Sequence, residues 1–222
     1  MSREAKLYLN CVIAAGGIML VDGLAPWEFA DVGQFFAYLI LGALAAALKF
    51  RLPGMQGSYS LGFIFILIGF ASLSLPQTLL IGCTVVLVHV LWRPVMKPTV
   101  IRVLFNVASA AIAVVSAYDV AHHPAVLASG SIALVVLIST VLYFIINTTL
   151  MAGAISLVQQ EPFLKVLAAW LAWAAPYYVV GATAAAFTSY FSRSMDWQAA
   201  LLIVLPVLLI HVRYRCAAEQ RA

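Results

Sequence analysis

Charge is what this chain of 222 residues has least of: twelve Lys and Arg and eight Asp and Glu make up only 9% of it. A water-soluble domain carries about a quarter charged residues, because it must cover itself with polar surface. That class is excluded here. Cysteine is also scarce. Cys11, Cys83 and Cys216 stand far apart, in no CxxC or metal-ligand spacing, and read as small apolar fillers or exposed thiols. Catalytic signatures are missing too: there is no Walker loop, GxSxG elbow, HExxH helix or paired intramembrane carboxylate. No cofactor or metal is therefore expected, and an enzyme is the weakest reading, left only for an intramembrane activity without a known motif. Asp119, His122 and His123 supply three potential ligands where a helix meets water, but a proline follows them, and a solvated helix end is the simpler reading. The net charge of +4 comes from basic residues scattered singly between apolar runs, so no nucleic-acid partner is expected.

What the chain has instead is apolar residues. They form 65% of the sequence, with a mean hydropathy of +1.06. Runs bounded by charges and by Pro or Gly cover approximately 7–24, 33–50, 58–75, 76–93, 101–121, 128–158, 163–191 and 197–213. At roughly 20 apolar residues per crossing, these predict an all-α, polytopic transmembrane bundle of about eight membrane-inserted helices. Residues 1–222 read as a single integral membrane domain embedded in lipid. The first run has no cleavage site of small residues and is expected to stay as a span.

The basic residues give the orientation. Alternating the connections places Arg3, Lys6, Lys49, Arg51, Arg93, Lys97, Arg102, Lys165, Arg213, Arg215 and Arg221 on one side and only Arg193 on the other. Cytoplasmic loops carry such an excess, so both termini are expected in the cytoplasm of a bacterium, with the helices in its inner membrane. The runs at 58–75 and 76–93 are joined by Ser74-Leu75-Pro76-Gln77 alone, which makes 58–93 a tight hairpin or a re-entrant pair. Pro76 suits the first turn of the second arm. Pro176, near the middle of 163–191, predicts a kink.

Neutral polar residues inside the apolar runs are the candidate site. Asn106 and Ser109 share a helix face, as do Thr140, Tyr143 and Asn147, while Trp170, Trp173 and Tyr177 form an aromatic stripe. An amide in hydrocarbon costs several kcal/mol unless paired. The asparagines therefore either bond neighbouring helices and fix packing, or line a cavity. The second reading makes Asn106, Ser109, Tyr143, Asn147, Trp173 and Tyr177 the lining of a pocket for a small amphipathic ligand.

Several stretches occur in a distinctive order: Arg51-Leu52-Pro53-Gly54, the run from Ser60 to Cys83, Val103–Ala108, Tyr143–Thr148 and Ala175-Pro176-Tyr177-Tyr178. Together they resemble the N-terminal membrane domain of bacterial signalling proteins that carry GGDEF cyclase or HD-GYP phosphodiesterase domains after the last span. The resemblance implies a membrane-embedded sensory module. No output motif occurs before Ala222, so output is expected from a separate cytoplasmic signalling partner or from a longer chain. A looser likeness links residues 60–93 to the substrate-binding components of energy-coupling-factor transporters. It makes a small-solute transport subunit the alternative. Every Asp and Glu lies near a predicted helix end, which argues against ion-coupled transport.

Overall fold

A computed structural model describes residues 2–26, 31–49, 60–94, 97–194 and 198. Among them the chain forms eight helices: α1 (Arg3–Leu24), α2 (Val32–Ala47), α3 (Phe63–Ser72), α4 (Leu75–Leu91), α5 (Val100–Ala121), the single turn α6 (Pro124–Leu127), α7 (Ile132–Gln159) and α8 (Phe163–Ser194). The run 197–213 lies outside the described residues apart from 198, as do Arg51–Gly54 and the basic tail.

The helix starts follow from side chains that satisfy otherwise orphaned backbone N–H groups. Ser2 Oγ accepts from Ala5 N at 3.1 Å, Asp31 Oδ1 from Gln34 N at 3.0 Å, and Ser131 Oγ from Leu134 N at 3.2 Å. At α4, Gln77 Oε1 reaches back to accept from Ser74 N at 3.1 Å, and Pro76 occupies the first turn, where no N–H is required. Inside α8 the axis bends by 43° between Ala172 and Ala174. Pro176 explains the bend: it has no N–H to offer, and its ring crowds the carbonyl of Ala172, four residues back.

Helix lengths separate two groups. α1, α5 and α7, of 22, 22 and 28 residues, are long and apolar enough to cross a membrane, and the two arms of α8 make a fourth crossing if they count as one. α2, α3 and α4 have 16, 10 and 17 residues. They measure about 24, 15 and 26 Å, less than the roughly 30 Å hydrocarbon layer. Of the about eight membrane-inserted helices expected from run lengths, the described residues thus hold three or four long enough to cross, together with the shorter helices α2, α3 and α4.

Contacts fix how the helices run. Gly16 lies on Ala108 and Gly23 on Val115, so α1 and α5 are parallel. Gly42 meets Phe65 and Gly62 meets Ala46, so α2 and α3 are antiparallel. Tyr8, early in α1, donates to the carbonyl of Leu150, late in α7, at 3.0 Å. Phe63 packs against Tyr177 and Tyr178, while Ser72 shares a cleft with Ser189 and Ser192, so α3 and α8 are parallel.

α3 and α4 form a hairpin at the centre. Its base is closed by Ser60 Oγ and His89 Nδ1, 3.0 Å apart. Its tip at Leu73 sits level with the far end of α5, where the Tyr118 hydroxyl donates to the Leu73 carbonyl at 3.1 Å. Residues 63–70 are all buried, on every face of the helix. A helix apolar all round is at home either in lipid or in a core. Here α2, α4, α7 and α8 enclose it. Gly181 on α8 permits the closest of these approaches, because a Cβ there would overlap the ring of Phe63.

Candidate functional site

The six candidate residues distribute over two places. Tyr143 and Tyr177 belong to one aromatic cluster that joins α3, α7 and α8. Phe63 lies 4.8 Å, centroid to centroid, from both Tyr177 and Tyr178, and Tyr178 lies 4.6 Å from Phe144 and 6.2 Å from Tyr143. Phe70 continues the cluster towards the tip, 6.2 Å from Tyr143. The bend of α8 places Tyr177 and Tyr178 just beyond the break, where successive rings can straddle Phe63. The side chain of Trp173 is outside the described residues.

The second place is the interface of α5 and α7. Tyr8 packs 6.3 Å from Phe105 and bonds Leu150, which puts those two residues on one level. Asn147, three residues before Leu150, is then within about one helical turn of Asn106 in depth. The amides do not pair. Asn106 Nδ2 donates to the Arg102 carbonyl at 2.6 Å, on its own helix, and Asn147 is half-buried. Ser109 is buried, and its hydroxyl has no hydrogen-bond partner among the described residues; the same holds for Thr140. Tyr143 and Tyr177 are thus brought together in one cluster, while Asn106, Ser109 and Asn147 share only a similar depth on α5 and α7.

Open space lies elsewhere, on both flanks of the hairpin tip. A cavity of about 310 Å³ is walled by Ala71, His122, Val126, Gly130, Ser131 and Val135. The His122 ring stacks on Tyr118 at 3.8 Å and 9°, and its Nδ1 bonds the Tyr118 carbonyl at 2.9 Å. A second cavity, of about 240 Å³, is walled by Gln34, Ala71, Ser72, Ser189 and Ser192. These residues were not singled out from sequence. The available signals were short: Gln34 and Tyr38 four apart on α2, and Ser189 and Ser192 three apart on α8, each pair on one helix face. Nothing in a single chain says that those faces meet.

The arrangement is that of a helical bundle with a buried central hairpin, an aromatic contact between three helices and polar space at one end. Among the described residues no group of three His, Cys, Asp or Glu side chains is placed to hold a metal. Comparison with protein families settles the class: the model of the MASE9 family matches residues 26–214. The chain belongs to the MASE9 family. MASE domains are membrane-associated sensory domains of signalling proteins, so the coarse reading of the sequence, a membrane-associated sensory module, stands. The MASE9 match runs across α2 to α8 and thus takes in the hairpin, the aromatic cluster and both cavities. Comparison with curated proteins and with solved structures returns no match.

Proposed function

We propose that this MASE9 domain is the input module of a bacterial signalling system of the GGDEF or HD-GYP type, seated in the inner membrane with both termini in the cytoplasm. The family match carries the reading. The asymmetry of basic residues supports the orientation, because it places the hairpin base on the cytoplasmic side and the tip with its cavities on the other. A signal read at the tip has a direct mechanical route inward. α3 is held on all sides, so a shift at Ser72 displaces Phe63 against Tyr177 and Tyr178 at the break of α8. Packed interiors switch between discrete arrangements instead of deforming smoothly. Asn106, Ser109, Tyr143, Asn147, Trp173 and Tyr177 remain, within this reading, the candidate contacts for a small amphipathic molecule in the inner half.

The test is a graft of residues 1–222 ahead of a GGDEF cyclase domain, with cyclic dinucleotide output as the readout. Tyr177→Ala should change output severalfold at unchanged expression. If output is constant across variants of Phe63, Tyr177 and Gly181 that alter thermal stability, the sensory reading fails.

A further inference from the structure

The smaller cavity is chemically out of keeping with the chain around it. Four of its five wall residues (Gln34, Ser72, Ser189 and Ser192) are polar, in a protein that is 65% hydrophobic. Ser189 is only 2% exposed, and its hydroxyl has no hydrogen-bond partner among the described residues. Buried polar groups are almost always paired, so an orphan at a cavity wall points to water or to a ligand. The rest of the wall is held in place. Tyr38 is fully buried; its hydroxyl accepts from Gln34 Nε2 at 2.9 Å and bonds Ser192. Gln34 is also fixed through its backbone, whose N–H donates to Asp31 at 3.0 Å.

Two features define the occupant. Among the described residues the wall offers hydroxyls and a carboxamide but no charged side chain. The nearby Asp31 carboxylate is taken up by the Gln34 backbone N–H, so an ion in the cleft would leave water without a counter-charge in the wall, at high cost. The volume of about 240 Å³ holds roughly eight waters at their liquid volume, or one small organic solute. We infer that the cleft between α2, α3 and α8 binds a small uncharged solute rich in hydroxyl or amide groups, of the polyol or simple amide class. Its role as the input of the module rests on the sensory reading above; the binding itself does not. Because Ser72 is both a wall residue and the last residue of α3, occupancy bears directly on the central hairpin.

Equilibrium dialysis of the full chain in lipid nanodiscs, with labelled erythritol and labelled acetamide as probes and sodium and succinate as charged comparators, tests the site. Saturable binding of a neutral probe is expected, with none of the comparators. Polyols also stabilise proteins non-specifically by exclusion from their surface, so saturation, and not a rise in melting temperature, is the criterion. Ser189→Ala should weaken binding about tenfold, the worth of one buried hydrogen bond. Without solute it should melt no lower than the parent, because it removes an unpaired group. Gln34→Leu should abolish binding, and Ser189→Ala keeps the test valid if Gln34→Leu does not fold. Absence of saturable binding, binding unchanged in Ser189→Ala, or binding of the charged comparators alone overturns the inference. Saturable binding that leaves the output of the grafted cyclase unmoved would keep the site and remove the sensory reading.

Discussion

α1 and α3 are both strongly apolar helices, yet they solve opposite problems. α1 buries one stripe, Ala5, Leu9, Val12, Gly16 and Gly23, against its neighbours and turns the remainder outward, with Ile18 at 64% and Val21 at 69% exposure. α3 has no outward face at all. The difference follows length. A helix of about 33 Å can face lipid from one boundary to the other, whereas one of about 15 Å leaves its ends at membrane depth, where unpaired backbone groups are tolerated only inside protein or beside a water-filled space. At the base the first turn is closed by Ile64 N donating to the Leu61 carbonyl and Phe65 N to the Gly62 carbonyl, and side chains pair at both ends. Ser60 at the base meets His89, and Leu73 at the tip gives its carbonyl to Tyr118, with a cavity on either flank.

If that contrast is right, core and rim substitutions differ sharply. Phe65→Ala, at the enclosed face of α3, should lower unfolding free energy by about 3–5 kcal/mol, read by thermal or denaturant unfolding in detergent. A loss below about 1 kcal/mol would mean that α3 is not tightly enclosed. Gly16→Leu comes next. A Cβ at Gly16 already overlaps the backbone of Ala108, so the variant should push α1 off α5 and lose about 1–3 kcal/mol. Its effect should spare the hairpin, so crosslinking between α3 and α4 cysteines should persist. Tyr118→Phe removes the bond to Leu73 and should lose about 0.6–1 kcal/mol. It should also speed hydrogen exchange at the tip before any other part of α4. Ile18→Ala, on the lipid face of α1, should stay within about 0.5 kcal/mol of the parent; a larger loss would place that face against protein.

Much of the helix map was legible because insertion and capping are local. Runs expected at 101–121 and 163–191 became Val100–Ala121 and Phe163–Ser194, and Pro76 and Pro176 acted as their chemistry requires. The arm expected at 58–75 became Phe63–Ser72. Its apolar string reads the same whether lipid or protein surrounds it, and only the neighbours decide. The site was harder for a related reason. Asn106 stood out as an amide among apolar residues, yet its own helix takes up the amide through Arg102. Gln34, Ser72, Ser189 and Ser192 are ordinary residues until α2, α3 and α8 bring them to one cleft, and no local pattern announces that.

The enclosure of α3 is the claim on which the rest depends, because a hairpin facing lipid could neither be gripped by α8 nor pass on a shift from its tip. Native protein in bilayers doped with an acyl-chain diazirine lipid, irradiated and mapped by mass spectrometry, tests it without any substitution. Carbene adducts are expected on Ile18 and Val21 of α1 and on Ile40 and Leu44 of α2, all of which are exposed. None are expected from Phe63 to Phe70. Adducts within that segment, at a yield like that of Ile18, would contradict the account.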